Sequence, residues 1–520
     1  MKIKIVFDAP IATKMRKMKQ RVRWEDPLIS DRHIDQTALV VDDGFSSQEE
    51  FSFLVIGDSG TGYHRGHNPQ RQVAEMLLPH QSECKFLLHT GDVVYLVGSS
   101  EYYLDNFIRP YREFLVGGEK PEKVPYDRLV FKLPFLAVPG NHDYYDLPLT
   151  SGILAQATWP LRKLLQTQLS FDIGWHGSHQ GRTYAKAFLD YLQKIDNSSK
   201  LEQHLDTHYT AKTKTGRCLR YQPGNFTRLP NRYYTFRYGG VDFFALDSNT
   251  FNAPTPIPET KEGEILRGQL IRRLSELELE KEKIREFSGQ LNPDQPDEAE
   301  QLDDYEAKME QIEEMKIDIE KKLAADRKNV IDWEQLNWLK YRLIASWEDA
   351  EVRGRVVYFH HPPYVTEATK WHQAQTESIR FHLRWVLDEV LAAVGELAGG
   401  RPLVDLVLNG HAHCLEHLRT EDTGHGDANI DWVICGGSGY SLRRQRKEGA
   451  DLYDLETNVL MARSQLFYGR HDKGKHKRRF YSALRIDVQP GTPVKFSVKP
   501  LITERFRHDW HQMEAEPFVI

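Results

Sequence analysis

Five short apolar runs, each followed at once by residues able to bind metals or move protons, constrain this 520-residue chain more than any other feature. Phe53–Ile56 precedes Gly57-Asp58, and Phe86–Leu88 precedes His89-Thr90-Gly91-Asp92. Phe135–Val138 precedes Pro139-Gly140-Asn141-His142-Asp143. Val356–Phe359 precedes His360-His361, and Val404–Leu408 precedes Asn409-Gly410-His411-Ala412-His413. Runs of this length, rich in β-branched and aromatic residues, read as buried strands. Ligands gather beyond the carboxyl ends of strands in α/β sheets. Gln72–Leu78 and Arg380–Leu397 read as helices between strands, which predicts an α/β fold. Further strands are expected near Tyr233–Arg237, Phe243–Leu246, Trp432–Cys435 and Phe480–Val488.

Composition narrows the class. Apolar residues make up 40% and charged residues 28%, as in ordinary soluble proteins. No apolar run approaches the roughly 20 residues of a membrane helix, so a helical membrane-spanning protein is excluded. The basic N-terminus lacks a signal-like apolar stretch and cleavage site, so a cytoplasmic protein is expected. Cys84, Cys218, Cys414 and Cys435 show no paired spacing, which argues against a disulfide framework and a cysteine zinc site.

Charge is unevenly placed. The net −6 of the chain conceals a segment, 259–328, with 21 acids and 13 bases, a local −8. Residues 443–479 carry 11 Lys/Arg against 5 acids, a local +6. This basic stretch reads as a solvated loop or as an attractor of phosphorylated ligands. Within the acidic segment Leu270, Leu274, Leu277 and Ile284 recur at heptad spacing, as do Tyr305, Met309, Ile312, Ile319 and Leu323 beyond a turn at 288–297. The pattern predicts an antiparallel, coiled-coil-like helical hairpin over 256–328, inserted into the main domain. Lys281 and Lys316 interrupt its seam. The hairpin serves as a solvated spacer or as an arm for a protein partner or a second copy. Residues 144–230, with Trp175, His176, His179 and Arg182, read as a helical and loop insertion near the site. The remaining divisions are an N-terminal extension, 1–50, and a domain split into 51–255 and 329–520.

Taken singly, each strand-end residue has a structural explanation as a cap or turn former. Five such sites in one chain point to shared chemistry. Carboxylate, amide and imidazole donors suit Fe, Mn, Zn or Mg, and no thiolate calls for a softer metal. Two aspartates, an asparagine and three histidines exceed one ordinary site. They suit two metals ~3.5–4 Å apart that share a bridging carboxylate and clamp the oxygens of a phosphoryl group.

The motifs Asp58-Ser59-Gly60, Gly91-Asp92-Val93-Val94-Tyr95, Gly140-Asn141-His142-Asp143, Val357-Tyr358-Phe359-His360 and Gly410-His411-Ala412-His413 resemble, in this order, those of the calcineurin-like metallophosphoesterases. They are most similar to the purple acid phosphatase-like branch. Phe244–Asp247 and Gln335–Leu339 also look like family elements. The resemblance covers roughly 51–250 and 329–490 apart from the insertions. It implies a four-layer α/β/β/α sandwich. Most of the superfamily has a histidine where this chain has Gly60, and Tyr95 takes the position at which the purple branch supplies a tyrosinate.

Carried over by motif, one metal is held by Asp58, Asp92, Tyr95 and His413. The other is held by Asp92, Asn141, His360 and His411, with Asp92 bridging. His142 faces the phosphate as a stabilising group or proton donor, oriented by Asp143. His361 is expected to point elsewhere and to support the site from behind. The implied activity is metal-dependent phosphohydrolysis, with metal-bound hydroxide attacking phosphorus. Phosphomonoesters lead, with a phosphodiesterase or nuclease as alternative and a partner-binding scaffold with a vestigial site as the rival outside enzymes. A phosphate ester is the expected partner, with Fe, Mn or Zn as cofactor. A nucleic acid on the basic stretch is not favoured, and no membrane is expected. The two insertions and the missing export signal depart from the family pattern.

Overall fold

The computed structural model of the protein describes residues 6–60, 67–146, 177–292, 294–326, 329–454, 457–472 and 476–520. Trp175 and His176 lie outside these residues.

Two sheets, of 11 and 8 strands, carry the fold. In the smaller, Phe51–Ile56 lies between an antiparallel Arg478–Gln489 and a parallel Cys84–His89, with Phe135–Ala137 parallel beyond it. In the larger, Val241–Ala245, Gly354–Phe359, Leu406–Asn409 and Asp431–Cys435 run side by side in parallel. Period-2 alternation sorts their side chains between two cores. Val356, Tyr358, Leu406 and Leu408 face the smaller sheet. Val357, Phe359 and Val407 face the helices Trp333–Glu348 and Ala374–Ala398. Burial on both faces is why these strands read as unbroken apolar runs.

Between the sheets the aromatics interlock. Phe53 stacks on Phe86 at 5.0 Å and meets Phe243 edge-on at 5.6 Å. Burying one such ring stabilises the fold by about 1.5–3 kcal/mol. The helix Pro69–Leu77 packs on the Arg478–Gln489 and Lys495–Phe506 strands and completes helix, sheet, sheet and helix layers. The four-layer sandwich expected from the sequence is therefore present.

The sequence reading underestimated two stretches. Ile34–Val41, inside the expected N-terminal extension, is a strand of the larger sheet between Gly216–Tyr221 and Tyr234–Tyr238. The 144–230 stretch holds the helices Arg182–Phe188 and Ser198–His208 but also the strands Ala211–Thr213 and Gly216–Tyr221. Arg217 and Arg220 interrupt the apolar pattern of the latter strand, which hides it from a periodicity reading. Among the described residues, no helix is long and apolar enough to cross a membrane.

Residues 256–328 contain two helices, Lys261–Ser288 and Pro296–Ala324. Leu277, Ile284, Ile312 and Ile319 form their common apolar seam. Lys281 bonds Glu313, and Lys316 bonds Glu278 at 2.5 Å, so both seam lysines are neutralised across an antiparallel pair. Asp318, Lys321 and their neighbours on the second helix contact the sandwich instead of solvent.

Candidate metal centre

At the convergent strand ends, carboxylates from one loop pin the backbone of another. His411 N–H donates to Asp58 Oδ2 at 2.8 Å, and His142 N–H donates to Asp92 Oδ1 at 2.8 Å. Asp143 accepts from the backbone of Gly140 at 2.9 Å, Asp92 at 3.1 Å and Val93 at 3.3 Å. Asp58, Asp92 and His411 follow glycines and adopt φ of 52°, 57° and 64°. A left-handed backbone costs a non-glycine residue about 1–2 kcal/mol, so the surrounding bonds hold three strained residues that turn their side chains inward. Gly140 is required by the same packing, since a Cβ there would lie 2.1 Å from Asp92 Oδ1.

Two donor groups meet at Asp92. In the first, Tyr95 Oη lies 2.8 Å from Asp58 Oδ1, 2.7 Å from Asp92 Oδ2 and 3.2 Å from His413 Nε2. Tyr440 stacks on the Tyr95 ring at 3.8 Å and 7°. A Cβ at Gly60 would lie 1.9 Å from Val93 O, so the backbone leading to Tyr95 fills the space a histidine would need there. In the second group, His360 Nε2 lies 2.9 Å from Asn141 Oδ1 and 3.2 Å from Asp92 Oδ2. His360 and His413 turn Nδ1 toward the carbonyls of Thr90 and Ser441, at 2.9 and 3.1 Å, which leaves Nε2 of both rings facing the centre.

His361 differs from expectation. The strand ends at Phe359, so its alternation no longer sets the direction of the next side chains. The His361 ring lies 4.5 Å from that of His411, and the ligand atoms of His360, His361 and His411 fall within 4.8 Å of one another. Its Nδ1 lies 2.8 Å from Ser248 Oγ, and its buried Nε2 has no partner. Asp143 also needs correcting. Its carboxylate is engaged by backbone amides, and His142 Nδ1 is held by Leu96 O at 2.5 Å. Asp143 thus shapes the loop that carries His142 and does not orient the imidazole itself.

Electrostatics reflect this burial. Desolvation and the nearby Asp92 carboxylate push Asp143 up to about 7. Burial alone would lower His142 and His360, but Asp92 and Glu314 together raise His142, and Asp92 with Asp58 brings His360 to about 9. Desolvation, then Asp58 and Asp92, hold the Tyr95 phenol proton well above the tyrosine range. Asn141 Nδ2 and His142 Nε2 are buried without partners. Oxygen and imidazole donors, with Nε2 atoms aimed inward, fit hard or borderline metal ions.

Four further residues reach the site that the sequence reading did not assign to it. Glu310 and Glu314 come from the second hairpin helix, Lys370 from a loop and Arg443 from the basic stretch. Glu314 Oε2 lies 2.9 Å from Lys370 Nζ, and Glu314 Oε1 lies 3.9 Å from His142 Nε2. Lys370 Nζ also lies 3.0 Å from His411 Nε2. Arg443 donates to Ala307 O at 3.0 Å. A signal for this docking exists in the sequence: Glu300, Asp304, Glu310, Glu314 and Asp318 form an acidic stripe at helical spacing, distinct from the apolar seam. The stripe meets the basic stretch, with Asp304 on Arg470 at 3.0 Å, Arg479 at 3.0 Å and Lys477, and Glu300 on Arg479.

Residues 51–268 match the family model described as calcineurin-like phosphoesterase. No curated protein matches the sequence. The purple acid phosphatase PPD1 from yellow lupin (Lupinus luteus) seeds is similar at 12% identity and a TM-score of 0.38, over 91% of this chain and 54% of that one. This chain thus spans about half the length of the lupin protein. GAP50, described as the anchor in the inner membrane complex of Plasmodium, is similar at 11% identity and 0.38, over 90% and 89% of the two chains. PhoD is similar at 12% and 0.40, over 90% and 69%. Likenesses this distant carry neither branch nor activity from those proteins to this one.

Proposed function

We propose that this protein, whose residues 51–268 match the calcineurin-like phosphoesterase family model, is a metal-dependent phosphohydrolase acting on phosphomonoesters. The observation that carries this reading is the position of Asp92, whose carboxylate touches both Tyr95 and His360 and so lies between two inward-facing donor groups. Asp58, Asp92, Tyr95 and His413 would hold one metal. Asp92, Asn141, His360 and His411 would hold the other, with His361 close enough to join them. Such ions, Fe, Mn or Zn, supply Lewis acidity that activates water and neutralises phosphoryl charge.

The chain's own groups do the rest. Leu96 O fixes the His142 ring through Nδ1 and leaves Nε2 without a partner in the buried site. Asp92 favours the protonated ring, so His142 is suited to donate a hydrogen bond to a phosphoryl oxygen or a proton to a leaving oxygen. Asp143 keeps the Gly140 and Asp92 loops in register.

The monoester reading is favoured over a nuclease because the hairpin occupies the cations that suggested a nucleic acid groove. Arg470, Lys477 and Arg479 are paired with its acids. Four buried, unpaired cysteines support a reducing compartment such as the cytoplasm. The test is hydrolysis of matched aryl phosphomonoester and diester substrates after reconstitution with Fe, Mn or Zn in turn, with Asp92→Ala as blank. Monoester turnover that the substitution abolishes is expected. Preference for the diester would overturn the substrate assignment, and no turnover with any metal would overturn the enzymatic reading.

A further inference from the structure

The second hairpin helix, Pro296–Ala324, lies across the convergent strand ends, and what it presents to them is charge. Glu314, with its side chain only 10% exposed, reaches past the surface to Lys370 and toward His142. Lys370 is 1% exposed, and no acid other than Glu314 pairs with it among the described residues. A buried ammonium without an anion is costly, so Lys370 requires some anionic group at this place. Arg443 is buried against the same helix, donates to Ala307 O and is near enough to help hold Glu314 ionised, with Nη2 unpartnered; His142 Nε2 is likewise unpartnered. Lys370 and His142 thus both face the Glu314 carboxylate, with Glu310 one turn away on the same helix.

The attachment of the helix is polar throughout most of its length. Asp318 accepts from Ala374 N and Gln375 N at 2.9 and 3.0 Å, Lys321 pairs with Asp8 at 2.6 Å, and Asp304 pairs with Arg470 and Arg479. The large buried apolar residues of the hairpin, Leu277, Ile284, Ile312 and Ile319, pack with each other, while the small Ala299 and Ala307 are buried outside that seam and Ile317 makes a small apolar contact beside Val97 and Tyr145. An interface of this kind parts with little apolar surface newly exposed to water, unlike the aromatic core of the sandwich.

We propose that this helix is an autoinhibitory strap, that the Glu314 carboxylate occupies the place of the substrate's phosphate, and that Lys370 and Arg443 are the cations that recognise that phosphate once the strap lifts. The proposal rests on the phosphohydrolase reading above. A phosphate dianion carries more charge and more acceptor atoms than a carboxylate, so it displaces Glu314 from the same donors. The strap thereby selects against weakly charged ligands and leaves the centre covered when no phosphate is present.

The test uses full-length protein reconstituted with Mn and inorganic phosphate as the probe. Phosphate affinity is measured by calorimetry, and amide exchange is followed over 296–324. Glu314→Gln is expected to bind phosphate about tenfold more tightly, because the competitor is gone, and Lys370→Met about tenfold more weakly. In the parent protein phosphate is expected to accelerate exchange over 296–324. Unchanged or weaker phosphate binding by Glu314→Gln overturns the strap. So does slower exchange over 296–324, which describes a lid closing on its ligand. Aryl phosphate hydrolysis is measured on the same samples. Turnover in a protein whose Glu314→Gln variant binds phosphate as the parent does removes the strap alone. Absence of both turnover and phosphate binding in every variant removes the phosphohydrolase reading and the strap together.

Discussion

Tyr95 Oη lies within 3.2 Å of two carboxylates and an imidazole, yet it carries one proton and can donate to only one of them. A cation shared among these donors would satisfy all of them together. Tyr95→Phe keeps the ring and its stack on Tyr440 but removes the oxygen. We expect about tenfold weaker metal binding with the thermal midpoint of the metal-free protein unchanged or raised, measured by metal titration and calorimetry. Unaltered metal affinity would make Tyr95 a packing residue. The structure brings together Asp58, Asp92, Asn141, His360 and His413, and their grouping was legible because each follows a strand. The direction of His361 was not, because it depends on how the chain leaves the strand at Phe359.

At the scale of the elements, the hairpin helices hold each other by an apolar seam and hold the sandwich by charge. Heptad spacing made the seam readable. The docking face was harder to recognise, because an acidic stripe at helical spacing is also what a solvated helix shows. Asp304 contacts Arg470, Lys477 and Arg479, each partly buried. Pairs of this kind contribute modestly one by one, about 0.2–1 kcal/mol each, and more as a network. Asp304→Asn is expected to speed amide exchange over 296–324 by about tenfold, leaving Arg478–Gln489 unaffected. The difference between parent and variant should shrink in ~1 M salt, where charges are screened. A salt-independent difference would show that packing, not charge, seats the helix.

Over the whole molecule, one buried ionic network ties the sheet to its covering helix. Arg232 bonds Asp247 at 3.2 Å and also pairs with Asp332, and all three side chains are at most 1% exposed. Gln335, in the helix Trp333–Glu348, accepts from Asp247 N at 2.7 Å, and Tyr144 Oη donates to Asp247 at 2.7 Å. Removing the arginine leaves two buried carboxylates without their cation. Arg232→Met is expected to lower stability by about 3–5 kcal/mol in urea unfolding of the metal-free protein. A loss below ~1 kcal/mol would show that the network relaxes or takes up protons at little cost.

The sequence by itself determined the layers, because strands buried on both faces must be apolar throughout and helices between them must be amphipathic. It also determined which side chains stand at the strand ends, since a loop with glycine or proline follows each run. Only the tertiary structure decided that the −8 segment lies on the +6 segment and that Glu314 enters the site. Such a contact joins residues far apart in the chain through charge complementarity, and the acidic stripe that makes it does not say which basic segment it meets. The same holds for Ile34–Val41, whose place between Gly216–Tyr221 and Tyr234–Tyr238 is set by pairing across more than 170 residues of chain.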